Sequence, residues 1–249
     1  MIPHRRRRDA LLRALAAVDG WRVLVVDDTD DGLDLDVPRV RLGGGSGFAR
    51  AANTGIAAAN TAWVVVLNDD AAPIDDALDR LARAAGPSGP VLVGPRGVES
   101  AGIHVESWGR VWTDTSLPAS DRRVAALCGA CLRVPASARF DERFRHGFED
   151  VDLVRRLGGG TVVAGATCWH EGGGTVARTS AFAQRGATGG QLRLYPTGWR
   201  DPVIVALGLA QVARERGDAR RAAAVFRGWA DARLGAVQNS FAAAARFGF

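Results

Sequence analysis

The stretch Trp63-Val64-Val65-Val66-Leu67-Asn68-Asp69-Asp70 (WVVVLNDD) passes from an apolar run directly into three polar residues. A short β-branched run of this kind predicts a buried strand. A second such run, residues 21–26, ends at Asp27-Asp28, and the alanine-rich segment 48–60 between the two runs predicts a helix. Strand, helix and strand in this order predict an α/β fold of Rossmann-like type, in which helices flank a mostly parallel sheet.

Both apolar runs end in acidic residues. In open α/β sheets, ligands bind beyond the carboxyl ends of the strands, so the acids at 27–28 and 69–70 fall where a ligand site is expected. Acidic residues are also common in polar loops, and this coincidence by itself leaves a binding site and an ordinary loop about equally favoured.

The remaining pattern continues the alternation of strands and helices. Helices are predicted over residues 9–18, 150–157 and beyond 201, where the pattern breaks at Gly217. Short strands are predicted at 40–42, 91–93, 110–112, 125–134 and 161–164, and loops at 27–36, 43–47 and 86–90. We place the main domain over residues 1–185 and a helical C-terminal extension over residues 186–249.

All 32 basic residues of the 249-residue chain are arginines. The absence of lysine excludes a P-loop nucleotide site and any mechanism with a Schiff-base lysine. Three cysteines are too few for a secreted disulfide framework, which favours a reducing compartment.

The formal net charge of +5 resides in the C-terminal part of the chain. Residues 1–185 hold 23 arginines and 23 acidic residues, whereas residues 186–249 hold nine arginines and four acidic residues. A basic segment of this kind suits an anionic membrane surface, a phosphorylated substrate or nucleic acid, and a solvated helical face is an equally good interpretation.

The basic start, residues 1–8, is followed by no apolar signal segment, and the longest apolar run near the C-terminus, residues 203–210, is far shorter than a membrane-spanning helix. We therefore expect a cytoplasmic protein that at most touches the inner face of the plasma membrane.

Asn68, Asp69 and Asp70 carry oxygen ligands at the end of the predicted strand 63–67. Hard oxygen ligands at such a position suit Mg²⁺ or Mn²⁺ holding a diphosphate. The alternative is that Asp70 caps a helix starting near Pro73.

Glu149 and Asp150 come just before a predicted helix, and a carboxylate at a helix N-terminus is stabilised as the anion that a general base must be. Simple helix capping explains the same pair. His170 ends a predicted strand and its imidazole suits a metal such as Mn²⁺, although a lone histidine is more often a core or surface residue. Cys128 and Cys131 form a single C-x-x-C, which we interpret as two small core residues.

Taken in order, six motifs between residues 21 and 175 resemble those of the family-2 glycosyltransferases of GT-A fold, especially their rhamnosyltransferase-like group. The motifs are VVDDTDDG at 25–32, GFARAANTG at 47–55, LNDD at 67–70, CGACLR at 128–133, FDERF at 140–144 continuing to EDVDL at 149–153, and HEGGGT at 170–175. The opening strand is shorter than in that family, and Asn68 stands where a strict D-x-D motif has an acid.

The resemblance implies an inverting, metal-dependent glycosyltransferase that moves a sugar from a nucleoside diphosphate to a hydroxyl acceptor. It assigns Asp150 as general base with Glu149 orienting it, and Asp70, Asn68 and His170 as holders of Mn²⁺ or Mg²⁺. The residues that it implies for nucleotide-sugar binding are Pro3, Asp27, Asp28, Arg50, Asn53 and Asp69.

The implied partners are a dTDP-, UDP- or GDP-linked sugar and a glycan or lipid-linked acceptor of cell-wall or surface-polysaccharide synthesis, without nucleic acid. The basic C-terminal segment adds a peripheral membrane contact to this expectation. Two other functions stay open from the sequence. One is a non-catalytic nucleotide-sugar-binding scaffold of the same fold, and the other is a nucleotidyltransferase, which also uses acidic metal ligands on an α/β sheet.

Overall fold

A computed structural model describes residues 1–144, 146–172 and 180–246, with residues 235–246 described by their backbone alone. The described chain divides into two compact units. The first comprises residues 1–105, 111–144 and 149–172, and the second comprises residues 106–110, 146–148 and 180–246.

The first unit contains twelve strands and four helices among the described residues. The strands are β1 (Ile2–His4), β2 (Val25–Asp27), β3 (Arg39–Arg41), β4 (Trp63–Leu67), β5 (Ala71–Ile74), β6 (Ser88–Gly94), β7 (Gly97–Ser100), β8 (Ile103–Val105), β9 (Val111–Thr113), β10 (Arg122–Val124), β11 (Cys131–Pro135) and β12 (Gly160–His170). The helices are α1 (Arg8–Ala16), α2 (Phe48–Ala57), α3 (Ala77–Arg83) and α4 (Glu149–Arg156).

Strands β1, β2 and β3 form a parallel sheet in which β1 lies beside β2 and β2 beside β3. A seven-stranded sheet has the order β10-β12-β6-β11-β4, with β5 paired to β12 and β7 to β6. The N–H of Leu67 at the end of β4 donates to the carbonyl of Met1 beside β1 (3.0 Å), so backbone hydrogen bonding continues from one sheet to the other.

The prediction of an α/β fold with flanking helices is confirmed, and β4 has the predicted bounds. The sheet is mixed, because β11 runs antiparallel to both β4 and β6, whereas β6 and β12 are parallel. The core between sheet and helices is formed by aliphatic side chains that are almost fully buried, among them Ile2, Leu11, Val25, Leu81, Leu92 and Leu132. Each such side chain contributes roughly 1.5–3 kcal/mol by leaving water.

Three predictions of local structure were wrong. Pro73 lies in β5 and no helix starts there; the next helix, α3, begins only at Ala77. Proline is tolerated in β5 because this strand pairs with β12 alone. The predicted loop 86–90 includes the start of β6, and the predicted strand 125–134 forms regular pairing only from Cys131 onwards.

The second unit contains three helices, α5 (Ala181–Arg193), α6 (Arg200–Arg214) and α7 (Ala219–Arg246). The predicted break at Gly217 falls between α6 and α7, and the domain boundary placed after residue 185 falls inside α5, which the sequence did not predict as a helix. Ser180 caps α5, since its hydroxyl oxygen accepts a hydrogen bond from the N–H of Ala183 (3.1 Å). No helix of the described chain combines the length and apolar character needed to cross a bilayer.

Candidate active site

Strand pairing brings His170 against Asp70, one hundred residues apart in sequence. In the antiparallel pairing of β12 with β5, His170 lies opposite Ala71, and the N–H of Glu171 donates to the carbonyl of Asp70 (3.0 Å). The His170 Nε2 atom consequently lies 3.5 Å from Asp70 Oδ1, and His170 Nδ1 lies 3.1 Å from Glu99 Oε2. The imidazole is held between two carboxylates.

Attraction between the His170 imidazole and its neighbouring carboxylates shifts the pKa values of His170 and Asp70. Burial alone would lower the pKa of His170, but Asp70 and Glu99 outweigh it and raise that pKa above its usual value. Burial alone would likewise raise the pKa of Asp70, yet the neighbouring imidazole holds it below its usual range. Asp70 is therefore an anion at neutral pH.

Asn68, Asp69 and Asp70, the three polar residues after β4, contact different partners. Asp70 faces His170, whereas Asp69 Oδ2 lies 2.6 Å from Nδ1 of the buried His4. Asn68 donates its N–H to the carbonyl of Ala130 (2.8 Å), and its side-chain Oδ1 is buried without a hydrogen-bond donor among the described residues. Because Asp70 precedes a strand rather than a helix, the capping alternative for Asp70 is excluded.

Asp27 is fully buried at the end of β2 and organises the loop that follows. Its carboxylate accepts hydrogen bonds from the N–H and hydroxyl of Thr29 (3.0 and 2.6 Å) and from the N–H of Leu33 (2.8 Å). Burial alone would raise the pKa of Asp27, but these hydrogen bonds hold it below its usual range. The side chain fixes the loop over residues 28–33.

Asp28 connects three segments near the same strand ends. Its N–H donates to the carbonyl of His4 (2.8 Å), and its carboxylate accepts hydrogen bonds from the N–H groups of Ser46 and Gly47. The guanidinium of Arg5 lies 3.5 Å from the same carboxylate. The glycine-rich loop 43–47 is thus attached to β2 by a carboxylate.

The other predicted nucleotide-binding residues lie on β1 and α2. Pro3 is half-buried in β1. Arg50 is exposed on α2, and Asn53, one turn further, exchanges hydrogen bonds with the backbone of Phe140 (2.8 and 3.0 Å) and donates to Glu142. Asn53 therefore connects the motif at 47–55 to the motif that begins at residue 140.

Asp150 lies in the first turn of α4 and is held by Gly129. Its Oδ2 accepts a 2.6 Å hydrogen bond from the Gly129 N–H, and its Oδ1 accepts one from the Val151 N–H (2.8 Å). Burial raises the pKa of Asp150, although both backbone hydrogen bonds act in the opposite direction. A Cβ at position 129 would lie 3.1 Å from the Asp150 Cβ, so glycine leaves the space that the carboxylate needs.

Glu149 starts the same helix. The residue before it, Phe148, has a φ of 70°, a conformation that a bulky side chain rarely adopts. The entry of the chain into α4 is therefore tightly constrained.

Direct contacts link the sequence-distant motifs into one group within the first unit. Asp28 bonds to His4, His4 contacts Asp69, and the neighbouring Asp70 contacts His170. On the other side, Asn68 bonds to Ala130, and the adjacent Gly129 holds Asp150. These contacts connect six of the predicted residues: Asp28, Asn68, Asp69, Asp70, Asp150 and His170. Arg50 is exposed on α2, and the contacts of Asn53 are with Phe140 and Glu142 instead.

Sequence reasoning missed three participants: Glu99, Glu171 and Arg7. Glu99 in β7 contacts His170, and Glu171 receives hydrogen bonds from Arg7 (2.9 and 3.0 Å). His4 had no recognisable partner in the sequence. Glu99, Arg7 and His4 belong to no spaced motif, so only the pairing of strands could have revealed them. Glu171 lies in the motif at 170–175, where an acid directly after His170 was the single available signal.

The cysteines are structural. Cys131 and Cys168 are buried in the core, and burial raises the pKa of the partly buried Cys128 thiol to about 12. A hydrogen bond between Cys131 and Cys168, together with burial, raises the pKa of Cys168. Their core placement agrees with the sequence interpretation of Cys128 and Cys131.

The donor atoms near Asp70 fit a divalent cation. Among the described residues, no group of three or more His, Cys, Asp and Glu side chains has the geometry of a metal site. Mg²⁺ and Mn²⁺ bound with nucleotides, however, need only one or two protein ligands because phosphates and water supply the rest. An anionic Asp70, the His170 imidazole beside it and the unsatisfied Asn68 Oδ1 make a suitable donor set.

The sequence model of Glycosyl transferase family 2 matches residues 1–131. The matched part runs from β1 to the first residue of β11. The chain belongs to this family. The match covers the loop after β2, the glycine-rich loop with α2, and the Asn68–Asp70 segment, whereas Asp150 and His170 of this family-2 protein lie beyond it.

Among curated proteins, the chain is similar to the N-acetylglucosaminyl-diphospho-decaprenol L-rhamnosyltransferase of Mycobacterium tuberculosis. The two are 33% identical over 126 residues, which cover 39% of this chain and 41% of the relative. The similarity therefore extends over less than half of the relative's length.

Solved structures show the same fold at low sequence identity. GalNAc-T7 with UDP, GalNAc and Mn²⁺ superposes with a TM-score of 0.58 at 12% identity, covering 78% of this chain and 46% of that one. The mannosyltransferase PcManGT from Pyrobaculum calidifontis, with GDP-Man and Mn²⁺, gives 0.52 at 15% identity, covering 97% and 79%. S. aureus TarS 1-349 gives 0.52 at 14% identity, covering 94% and 90%. The GT-A fold predicted from the motifs is thereby confirmed.

Proposed function

We propose that this family-2 protein is an inverting glycosyltransferase that moves a sugar from a nucleoside diphosphate to an acceptor hydroxyl. The observation that carries the proposal is the arrangement of Asp70, His170 and Asp150. The strand pairing places an anionic carboxylate beside an imidazole, and the end of β4 connects through Asn68, Ala130 and Gly129 to the half-buried Asp150.

Asp70 and His170, with Asn68 as a weaker third ligand, would hold Mn²⁺ or Mg²⁺. The cation, when bound, supplies positive charge that stabilises the departing nucleoside diphosphate. Two solved structures of the same fold contain Mn²⁺ together with UDP or GDP-Man, which supports a divalent cation here. Glu99 would keep the imidazole of His170 in orientation through its contact with Nδ1.

Asp150 would act as the general base. The acceptor hydroxyl loses its proton to Asp150 while its oxygen forms a bond to the anomeric carbon, and the bond from that carbon to the diphosphate oxygen breaks. A single displacement of this kind inverts the anomeric configuration. Burial brings the pKa of Asp150 upward toward the working pH, which improves proton acceptance. Glu149 would help to orient the acceptor or the base.

The nucleotide would lie against the ends of β1 and β2. Asp28, the loop that Asp27 fixes and the half-buried Pro3 would line the base and ribose, with the Arg50 and Asn53 region of α2 beyond them. Asp69, held by His4, would complete the wall next to the metal ligands.

The name of the curated relative suggests a class of donor and a class of acceptor for the proposed reaction. The curated relative is named as a rhamnosyltransferase acting on a diphospho-decaprenol-linked N-acetylglucosamine. By analogy, we propose a hexose or rhamnose donor linked to dTDP, UDP or GDP and a lipid-linked or glycan acceptor of cell-wall or surface-polysaccharide synthesis. With such an acceptor, we propose that the protein works at the cytoplasmic face of the plasma membrane.

A nucleotide-sugar panel tests the proposal. The protein is incubated with dTDP-, UDP- and GDP-sugars and Mn²⁺, and thermal stabilisation and release of nucleoside diphosphate are measured. We expect one nucleotide class to stabilise the protein only with Mn²⁺, and Asp70→Ala to remove this metal dependence while the control Asp76→Ala, on the exposed start of α3, retains it. Binding without release from any donor or acceptor would favour the scaffold function, and pyrophosphate release from a nucleoside triphosphate would indicate a nucleotidyltransferase.

A further inference from the structure

Helix α7 carries an exposed apolar face. Ala219, Ala223, Phe226, Ala230 and Leu234 follow one another at spacings of three or four residues, so their side chains lie on one side of the helix. Phe226 is 53% exposed and Leu234 is 49% exposed, which is unusual for large apolar side chains that share a helical face. We refer to these five residues as the outer face of α7.

The tightest packing of α7 lies on its other side, although Ala230 of the outer face is half-buried. On the opposite side of α7, Ala224 and Val225 are buried, and Gly228 approaches the backbone of α5 so closely that a Cβ there would lie 2.5 Å from the Arg185 carbonyl oxygen. The helix therefore has two apolar sides, and only one of them is needed to hold it against α5.

Two exposed arginines border the outer face on one side. Arg220 and Arg227 are exposed and project from the edge of the same face, and neither forms an ion pair with a described residue. The acidic residues of the segment are engaged elsewhere: Asp201 with Arg233, Glu215 with Arg221, Asp231 with Arg185, and Asp218 with the backbone N–H of Arg221. The excess arginine charge of the segment is thus left for an external partner.

We propose that the outer face of α7 lies in the surface of a membrane that contains anionic lipid. An exposed apolar strip bordered by arginines is the arrangement by which a helix rests in the headgroup region, with apolar side chains inserted and guanidinium groups on lipid phosphates. The inference rests on the proposed function in one respect: a lipid-linked acceptor gives the contact a purpose, because the enzyme then meets its substrate at the bilayer.

A second copy of the chain fits this face less well. A two-fold symmetric contact through this face would bring Arg220 and Arg227 of both copies to one interface, where the four acidic side chains of residues 180–234 are already engaged with other groups. Nucleic acid would use the arginines but leave Phe226 and Leu234 in water.

Vesicle binding tests the proposal on the full chain. Co-sedimentation is measured with vesicles of phosphatidylcholine containing 30% phosphatidylglycerol, and with phosphatidylcholine alone. We expect binding to the anionic vesicles that weakens in 0.5 M NaCl, and a loss of at least about tenfold in partitioning for Phe226→Ser with Leu234→Ser. Leu117→Ser, at an exposed leucine of the first unit, is the matched control and should bind like the parent protein.

The electrostatic contribution is tested separately. Arg220→Gln with Arg227→Gln should weaken binding to the anionic vesicles and make the remaining binding insensitive to salt. Failure of the parent protein to bind, or undiminished binding of the Phe226/Leu234 variant, would overturn the proposal. So would light scattering that shows a dimer which only that variant disrupts.

The outcome is independent of the proposed catalysis. A chain that binds vesicles but no nucleotide sugar would retain the membrane face and lose the glycosyltransferase function. A chain that releases nucleoside diphosphate in solution but does not bind vesicles would retain the glycosyltransferase function and overturn the membrane contact.

Discussion

At the residue scale, the site depends on a few polar side chains whose neighbours fix their chemistry. Asp27 is buried and Asp150 is half-buried, and their pKa values shift in opposite directions. Hydrogen bonds from Thr29 and Leu33 overcome the burial of Asp27, whereas burial dominates at Asp150. The first aspartate stabilises a loop, and the second accepts the acceptor's proton in the mechanism that we propose.

Replacing Asp150, the proposed base, should abolish sugar transfer and leave binding of the nucleotide-sugar donor nearly unchanged. Asp150→Asn retains the shape of the side chain and one acceptor oxygen for the Gly129 or the Val151 N–H, so donor affinity measured by calorimetry should change little. Turnover should fall by roughly 100- to 10,000-fold, because an amide cannot take the acceptor proton. Asp152→Asn, on the same helix but paired with Arg156, is the control. Retained turnover in Asp150→Asn would remove this residue from the mechanism.

The glycine that supports the base is a second target. In Gly129→Ala the new methyl group would crowd the Asp150 side chain, and displacement of a catalytic group by even about 1 Å costs on the order of 100-fold in rate. We expect this loss with little change in unfolding temperature. In Gly165→Ala, the added methyl group meets only the flexible end of the Arg80 side chain, so normal turnover is expected there. Equal turnover in both variants would contradict the supporting role of Gly129.

At the scale of elements, strand pairing decides which motifs meet. The pairing of β12 with β5 aligns His170 with Ala71, and the pairing of β11 with β4 aligns Cys131 with Leu67. The first register places His170 beside Asp70, and the second places Asn68 beside Ala130, next to the Gly129 that holds Asp150. A shift of one residue in either pairing would turn the side chains to the other face of the sheet.

The close approach of α5 and α7 gives a prediction for the helical unit. A Cβ at position 228 would lie 2.5 Å from the Arg185 carbonyl oxygen, so Gly228→Ala must push the helices apart. We expect a loss of about 1–3 kcal/mol in the free energy of unfolding, measured by denaturant titration. Gly198→Ala introduces a methyl group into open space and should cost much less. Similar costs for both variants would argue against tight packing at Gly228.

For the whole molecule, the balance of charge predicts sensitivity to acid. Hydrogen bonds from Ser116 and an ion pair with Arg122 hold the pKa of Asp114 below its usual range, and Arg233 does the same for Asp201. A carboxyl group whose pKa is lower in the folded state stabilises the fold above its unfolded pKa of about 4, and this stability is lost as the pH falls through the folded pKa.

These carboxyl groups should therefore make the free energy of unfolding decline steadily as the pH falls below about 4. Denaturant titrations at pH 6, 4 and 3 measure this decline. Asp114→Asn should show a shallower decline than the parent protein, because one group with a depressed pKa has been removed. A parent curve that stays flat to pH 3 would show that these carboxylates carry no net stabilisation.

Much of the site was predictable because the motifs themselves carry its chemistry. The strand 63–67, the acids after it and the helix at Asp150 are local patterns of burial and charge. Glu99 and Arg7 were not predictable, because each acts through a partner more than 70 residues away that only the sheet brings near. Pro73 misled the helix prediction, since proline marks helix starts and also suits a strand paired on one side only.

The amino-acid sequence by itself determined the alternation of strands and helices, the identity of the polar residues at the strand ends and the arginine excess of the C-terminal segment, because these follow from local hydrophobic patterning and composition. Tertiary structure alone decided that Asp69 turns to His4 while Asp70 turns to His170, that Gly129 holds Asp150, and that α7 keeps an apolar face in solvent. Those outcomes depend on register and packing between segments distant in sequence, which no local pattern encodes.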